Sequence, residues 1–154
     1  MKRIALTQGK FAVVDDLDFI PLSSYKWFAE DHGHTFYAAT NIKASNGKRL
    51  LRMHRMLVRC PRGFELDHID GNGLNNTRNN LRIATRSQNL MNRKRKGVIF
   101  KQDPWRKKKW TAAVYLNGKR FALGYYLTEQ EARAAYEAKA RELHGDFAYN
   151  REGK

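Results

Sequence analysis

The stretch Asp67-His-Ile-Asp-Gly-Asn-Gly-Leu-Asn-Asn-Thr-Arg-Asn-Asn80-Leu-Arg-Ile-Ala-Thr-Arg-Ser-Gln-Asn89 decides how the chain is read. Phe64, Leu66 and Ile69 form a short apolar run carrying an acid and an imidazole side by side. An asparagine-rich loop follows, and then a second short strand, Leu81-Arg82-Ile83-Ala84. Thr85, with Gln88 three residues on, has the spacing of a capping box that opens a helix. Strand, loop, strand and helix would bring Asp67, His68, Asn80 and Asn89 together from well-separated positions.

Asparagine side chains bond nearby backbone and accept left-handed conformations, so they can hold a long loop that has no ladder. Asn72, Asn75, Asn76 and Asn79 are read as loop architecture on that ground, with Asn76 the one that matters indirectly. Arg86 and Arg93 lie on the helical face of Asn89, and Arg82 points off the second strand. All three are candidate phosphate clamps, with solvated arginine as the alternative.

The arrangement resembles the HNH (ββα-metal) endonucleases, in the branch of phage and intron homing enzymes where asparagine replaces the last histidine. His68 to Asn80 is 12 residues and His68 to Asn89 is 21, both as in that branch. The resemblance implies that His68 is the general base and that Asp67 and Asn89 hold a divalent metal. Asn80 would orient the imidazole and pin the loop. A near-neutral imidazole can take a proton from water, and a divalent cation can neutralise phosphate and leaving alkoxide together. Two oxygen ligands favour Mg²⁺ (or Mn²⁺) over Zn²⁺. Asp67 and His68, adjacent on a strand, can address one phosphate only if the strand bends or ends there.

The 154 residues carry a formal charge of +15, which favours a polyanionic partner. No apolar run approaches the roughly 20 residues needed to span a bilayer, and no signal segment opens the chain. The expectation is a soluble protein of the cytoplasm (host cytoplasm if phage-encoded) that binds double-stranded DNA, with no membrane role, as a monomer or weak dimer. Cys60 is the only cysteine, so no internal disulfide forms and no structural zinc held by paired cysteines is expected.

Residues 1–57 read as a small mixed segment. Ile4–Leu6 and Phe11–Val14 flank a Gly9 turn, and a short helix around Leu17 and Ile20 breaks near Pro21. Trp27-Phe28, Phe36–Ala39 and Arg49–Met53 are strand candidates, the last preceded by a Ser45–Lys48 turn. His54-Arg55 resembles the short helix ahead of the motif in related nucleases, with packing preferred for His54. His32 and His34 are read as solvated.

Arg93-Lys94-Arg95-Lys96 is a basic run just past the presumed site, equally readable as a phosphate contact or a solvated face. Beyond it, Gly97–Phe100, Lys109–Tyr115 and Arg120–Tyr126 are three strand candidates, with Asn117-Gly118 as a two-residue hairpin turn. Thr128 and Glu131 open a helix in which Ala132, Ala135, Tyr136, Ala140 and Leu143 share a stripe, closed by Gly145. This segment resembles the DNA-binding domain of plant ethylene-response factors (Apetala-two type). The match lies in Gly97-Val98, Trp110-x-Ala112, Asn117-Gly118-Lys119, Leu123–Tyr126, Glu131-Ala132, Ala135-Tyr136 and Gly145…Ala148…Asn150. It implies a sheet face in the major groove, although Ile99 stands where arginine is common. Lys101, Arg106, Lys107, Lys108, Lys109, Lys119 and Arg120 are the basic side chains expected to reach DNA. Trp105 is read for stacking on DNA and Trp110 for the core.

The expected fold class is α+β, a ββα-metal (HNH) nuclease domain followed by a three-stranded antiparallel sheet packed on one helix. The nuclease domain spans 1–95, with its core at 62–95, and the DNA-binding domain spans 96–151. The function expected is that of a homing-type DNA endonuclease. The rival is a non-cleaving DNA-binding regulator on a nuclease scaffold, which would have lost one of Asp67, His68, Asn80 or Asn89. None is lost.

Overall fold

A computed structural model describes residues 1–45, 47–92 and 97–148. The first strands, β1 (Lys2–Ala5) and β2 (Phe11–Val14), pair antiparallel across the Gly9 turn, as the sequence predicts. Helix α1 (Asp16–Ser23) keeps Pro21 inside its last turn. Strands β3 (Phe28–Asp31), β4 (Phe36–Ala44) and β5 (Gly47–Arg52) form an antiparallel sheet in that order. Asn46, in the turn expected between β4 and β5, lies outside the described residues.

Alternation on these strands puts Ile4, Ala12, Val14 and Ala38 inward, where Leu22, Trp27 and Met53 meet them in one apolar core. Trp27 seats its indole there and satisfies Nε1 by donating to the Leu22 carbonyl at 2.7 Å. Met53, fully buried, opens the short helix α2 (Met53–Leu57), which turns the chain toward the central motif.

The motif itself is an antiparallel hairpin, β6 (Glu65–His68) and β7 (Leu81–Ala84), followed by helix α3 (Arg86–Met91). Thr85 and Gln88 exchange hydrogen bonds, Thr85 N to Gln88 Oε1 at 2.8 Å and Gln88 N to Thr85 Oγ1 at 3.3 Å. That is the capping box read from the sequence.

The long loop between β6 and β7 is held by the N-terminal segment. Val13 N donates to Leu74 O, and Asn76 N donates to Val13 O, each at 2.8 Å. Arg78 grips the buried Asp18 of α1 with Nε at 2.8 Å and Nη2 at 2.7 Å. Gly73 is required for the loop's close approach to β4, because a Cβ there would lie 2.5 Å from the Phe36 carbonyl oxygen. Residues 1–57 are therefore the support that shapes the motif loop.

Residues Met1–Asn89 form one compact unit and a second begins at Leu90. The boundary expected at 95/96 falls in residues 93–96, outside the described residues, with the basic candidates Arg93, Lys94, Arg95 and Lys96. In the second unit β8 (Val98–Phe100), β9 (Trp110–Leu116) and β10 (Lys119–Tyr126) make an antiparallel sheet with β9 in the centre. Asn117 and Gly118 both take positive φ, 49° and 78°, the turn that a two-residue hairpin needs. Helix α4 (Glu129–His144) packs on all three strands through the expected stripe, burying Ala132 and Ala140. The Thr128–Glu131 capping box is present. Asn150, the last position of the ethylene-response-factor pattern, lies outside the described residues.

Candidate active site

Strand β6 ends at His68, and the chain turns at once: Gly71 N donates to His68 O at 2.8 Å. The strand thus stops where two adjacent side chains need to serve different partners. By the two-residue period, Leu66 and His68 take one face while Glu65 and Asp67 take the other.

On the His68 face the imidazole is 4% exposed and lies against His54, with ring centroids 5.1 Å apart and planes nearly perpendicular. Tyr37 of β4 touches both rings, at 5.5 Å from His54 and 5.7 Å from His68. Nε2 of His68 lies 3.4 Å from Oδ1 of Asn76, which is fully buried. The Asn76 amide nitrogen faces the Gly73 carbonyl, also at 3.4 Å, which turns its oxygen toward the imidazole.

Burial pushes the His68 imidazole below its ordinary value, opposed by the Asn76 contact and by the Asp70 and Asp67 carboxylates. His54 is pushed down to about 3, first by burial and then by repulsion from His68, Arg55 and Arg52. Both rings are neutral at physiological pH, the state in which an imidazole accepts a proton.

Asn80 was expected to pin the loop and orient the imidazole. Its Nδ2 donates to Asp70 Oδ1 at 3.0 Å and to Asn75 O at 2.8 Å, and its Oδ1 accepts from Asp70 N at 3.1 Å. Both amide hydrogens are thus committed to the loop, and Asn76 faces the imidazole. Asp70, Asn72 and Asn75 add further bonds within the loop, as read for these asparagines.

On the opposite face Asp67 is 5% exposed and paired in register with Arg82 across the hairpin. Arg82 Nε donates to Asp67 Oδ2 at 2.8 Å, and Nη2 stands 2.8 Å from the same oxygen. Asn89 reaches this strand from α3 and donates its amide nitrogen to Glu65 Oε2. Glu65 is the residue that sequence reading passed over. It sits two positions before Asp67, and the strand period was the signal that would have found it.

Arg82 was read as pointing off its strand toward phosphate; its guanidinium instead lies over Asp67 with a side-chain exposure of 15%. Arg86 is exposed. His54 packs as read. His32 is exposed, as read, and also lies 3.3 Å from Glu30 and edge-on to Tyr37 at 4.9 Å.

The histidine pair makes stability depend on pH. The folded-state values of His54 and His68 lie below the ordinary 6.5, so the unfolded chain binds protons that the folded chain refuses. Their contribution is therefore present above about pH 6.5 and lost as pH falls toward the folded values. For His54 the expected loss between about pH 7.5 and about pH 5 is about 2 kcal/mol. Denaturant unfolding across that range should show the acid limb, and His54→Phe should flatten it. An equally steep limb in the variant would assign the proton uptake to other groups.

The sequence profile of the HNH endonuclease family matches residues 58–91, the segment that holds this hairpin, its loop and α3. The chain is 34% identical over 152 residues to an uncharacterized HNH endonuclease of Acanthamoeba polyphaga mimivirus, covering 92% of this chain and 74% of that protein. It therefore belongs to the HNH endonuclease family. It is also 32% identical over 96 residues to Protein 3.8 of Escherichia phage T7, covering 57% of this chain and 76% of that one. No solved structure matches it. Among the described residues no helix is long and apolar enough to cross a membrane.

Proposed function

We propose that the protein is a metal-dependent, homing-type DNA endonuclease built on a ββα-metal centre, with His68 as general base. The observation that carries the reading is that one short strand ends by presenting a buried, neutral imidazole and a buried carboxylate from adjacent positions. Asn89 is tied to the same strand through Glu65.

Among the described residues no group of three or more His, Cys, Asp or Glu side chains gathers as a metal cage. The fit rests on donor type. Asp67 and the added Glu65 offer carboxylate oxygens from one face of β6, and Asn89, whose amide nitrogen meets Glu65, adds an amide oxygen from α3. That donor set suits a hard ion that keeps several waters, Mg²⁺ or Mn²⁺. When bound, such an ion supplies charge neutralisation for the phosphate and its leaving oxygen.

The protein's own groups do the rest. Asn76 Oδ1 faces Nε2 of His68, which suits the tautomer protonated at Nε2, with Nδ1 as the proton acceptor. The fully buried Asn76 and the Asn80–Asp70–Asn75 network hold the ring and loop still, so the base waits in one orientation.

Residues 97–148 act in this reading as the DNA-reading module, an ethylene-response-factor-like sheet laid against the major groove. Support comes from exposed Lys101, Arg106, Lys107, Lys108, Lys119 and Arg120, with Lys109 half-buried. Trp105, at 95% exposed, stands in the β8–β9 loop beside Arg106, while Lys119 and Arg120 open β10. Arg106 lies over the Tyr125 ring at 4.1 Å, which holds its guanidinium at the sheet. The viral relatives suit an origin in a phage genome and action in a host cytoplasm.

The test is plasmid cleavage. Cutting is expected only with added Mg²⁺ or Mn²⁺, to stop with a chelator, and to be lost in Asp67→Asn while DNA binding persists. Chelator-resistant cutting, or full activity in Asp67→Asn, would remove the metal from the mechanism.

A further inference from the structure

Arg82 turns inward while Arg86, four residues on, faces solvent. The cross-strand register alone places it, because Asp67 and Arg82 are directly opposed on the hairpin. The contact is one-sided. A guanidinium fork ordinarily takes both oxygens of a carboxylate; here Nε and Nη2 both address Oδ2. Side-chain exposures of 15% and 6% leave little water to screen the pair. Asp67 is thus neutralised by a resident cation, at the carboxylate that a divalent ion would need.

We propose that Arg82 is the placeholder of the metal site: it neutralises Asp67 in the metal-free protein, and divalent-ion binding displaces it from Oδ2 toward the DNA phosphate. This rests on the reading of Asp67 as a metal ligand. Two cations cannot share that oxygen without repulsion, and the guanidinium, on a long side chain, is the one able to move. A phosphate gives the released guanidinium a bidentate partner. Metal and DNA should therefore bind with positive cooperativity, each favouring the arrangement in which Arg82 has left the carboxylate.

The experiment is titration of the intact, DNA-free protein with Mn²⁺, read by electron paramagnetic resonance and by melting temperature. Wild type is compared with Arg82→Met, Arg82→Lys and Asp67→Asn. Arg82→Met should bind Mn²⁺ about tenfold tighter or more than wild type, the worth of a charge-assisted contact removed from the competition. Its metal-free melting temperature should fall, since the buried Arg82–Asp67 contact is lost, and Mn²⁺ should restore it. Arg82→Lys keeps the charge without the fork and should lie between the two. If Arg82→Met does not fold, Arg82→Lys decides on the same criterion, tighter binding supporting the proposal and unchanged binding overturning it. Unchanged or weaker Mn²⁺ binding in Arg82→Met overturns it directly. Asp67→Asn separates the two readings. If it binds Mn²⁺ as wild type does, the metal site itself is misassigned; if it loses Mn²⁺ while Arg82→Met is unchanged, the placeholder role alone fails.

Discussion

Replacing His68 by alanine is expected to slow DNA strand cleavage by about 10²–10⁴-fold, the usual worth of a positioned general base, while DNA affinity is unchanged. The expectation follows from where the ring sits. It is held by Asn76, walled by His54 and Tyr37, and kept neutral by burial, so it has little surface to offer a DNA backbone as a binding contact. Removing the ring also opens space against His54 and Tyr37, so His68→Gln, which refills most of it without a comparable base, belongs beside His68→Ala. Both variants should bind a labelled duplex normally and cut it slowly in single-turnover assays. Cleavage by either at the wild-type rate would end the role given to His68. Loss of binding in both would make the ring a contact and not a base.

The second large effect is on affinity. Raising salt from about 50 to about 200 mM should weaken DNA binding by about 10³–10⁵-fold, if 6–10 phosphates are neutralised. A net charge of +15 makes such a footprint available, and the β8–β9 loop concentrates part of it in Arg106, Lys107, Lys108 and Lys109. These four are not equivalent. Arg106 is held between Asp103 at 3.3 Å and the Tyr125 ring at 4.1 Å, while Lys107 and Lys108 are exposed. Changing Lys107, Lys108 and Lys109 together to alanine should lower the slope of log affinity against log salt by about three, near one per phosphate contact. Fluorescence anisotropy over a salt series measures it. A slope unmoved by the triple change would leave those lysines as a solvated edge.

Local chemistry made much of the architecture legible in advance. Asn117-Gly118 can hardly be other than a tight hairpin turn, because both residues tolerate positive φ and strand-forming residues flank them. Thr85–Gln88 and Thr128–Glu131 are capping boxes whose partners lie within one turn, so their spacing suffices to place two helix starts. The bonds of Asn72 and Asn75 were legible for the same reason, since they reach only a few residues along the chain.

What escaped the sequence lies across long separations. Nothing local says that Val13 will pair with the 74–76 loop, or that Arg78 will close on Asp18 sixty residues earlier. His32 is a surface turn residue, as read, but its contacts with Glu30 and Tyr37 arise only once β3 and β4 have paired.

By itself the sequence determined the family motif, its spacing, the basic charge and the starts of two helices, because these depend on residue type and on neighbours within a turn or two. The tertiary structure alone decided who touches whom at the centre. It gave the imidazole to Asn76, His54 and Tyr37, brought Glu65 to Asn89, and set Arg82 on Asp67. Those pairings follow from strand register and burial, which join groups far apart in the chain and which no local pattern encodes.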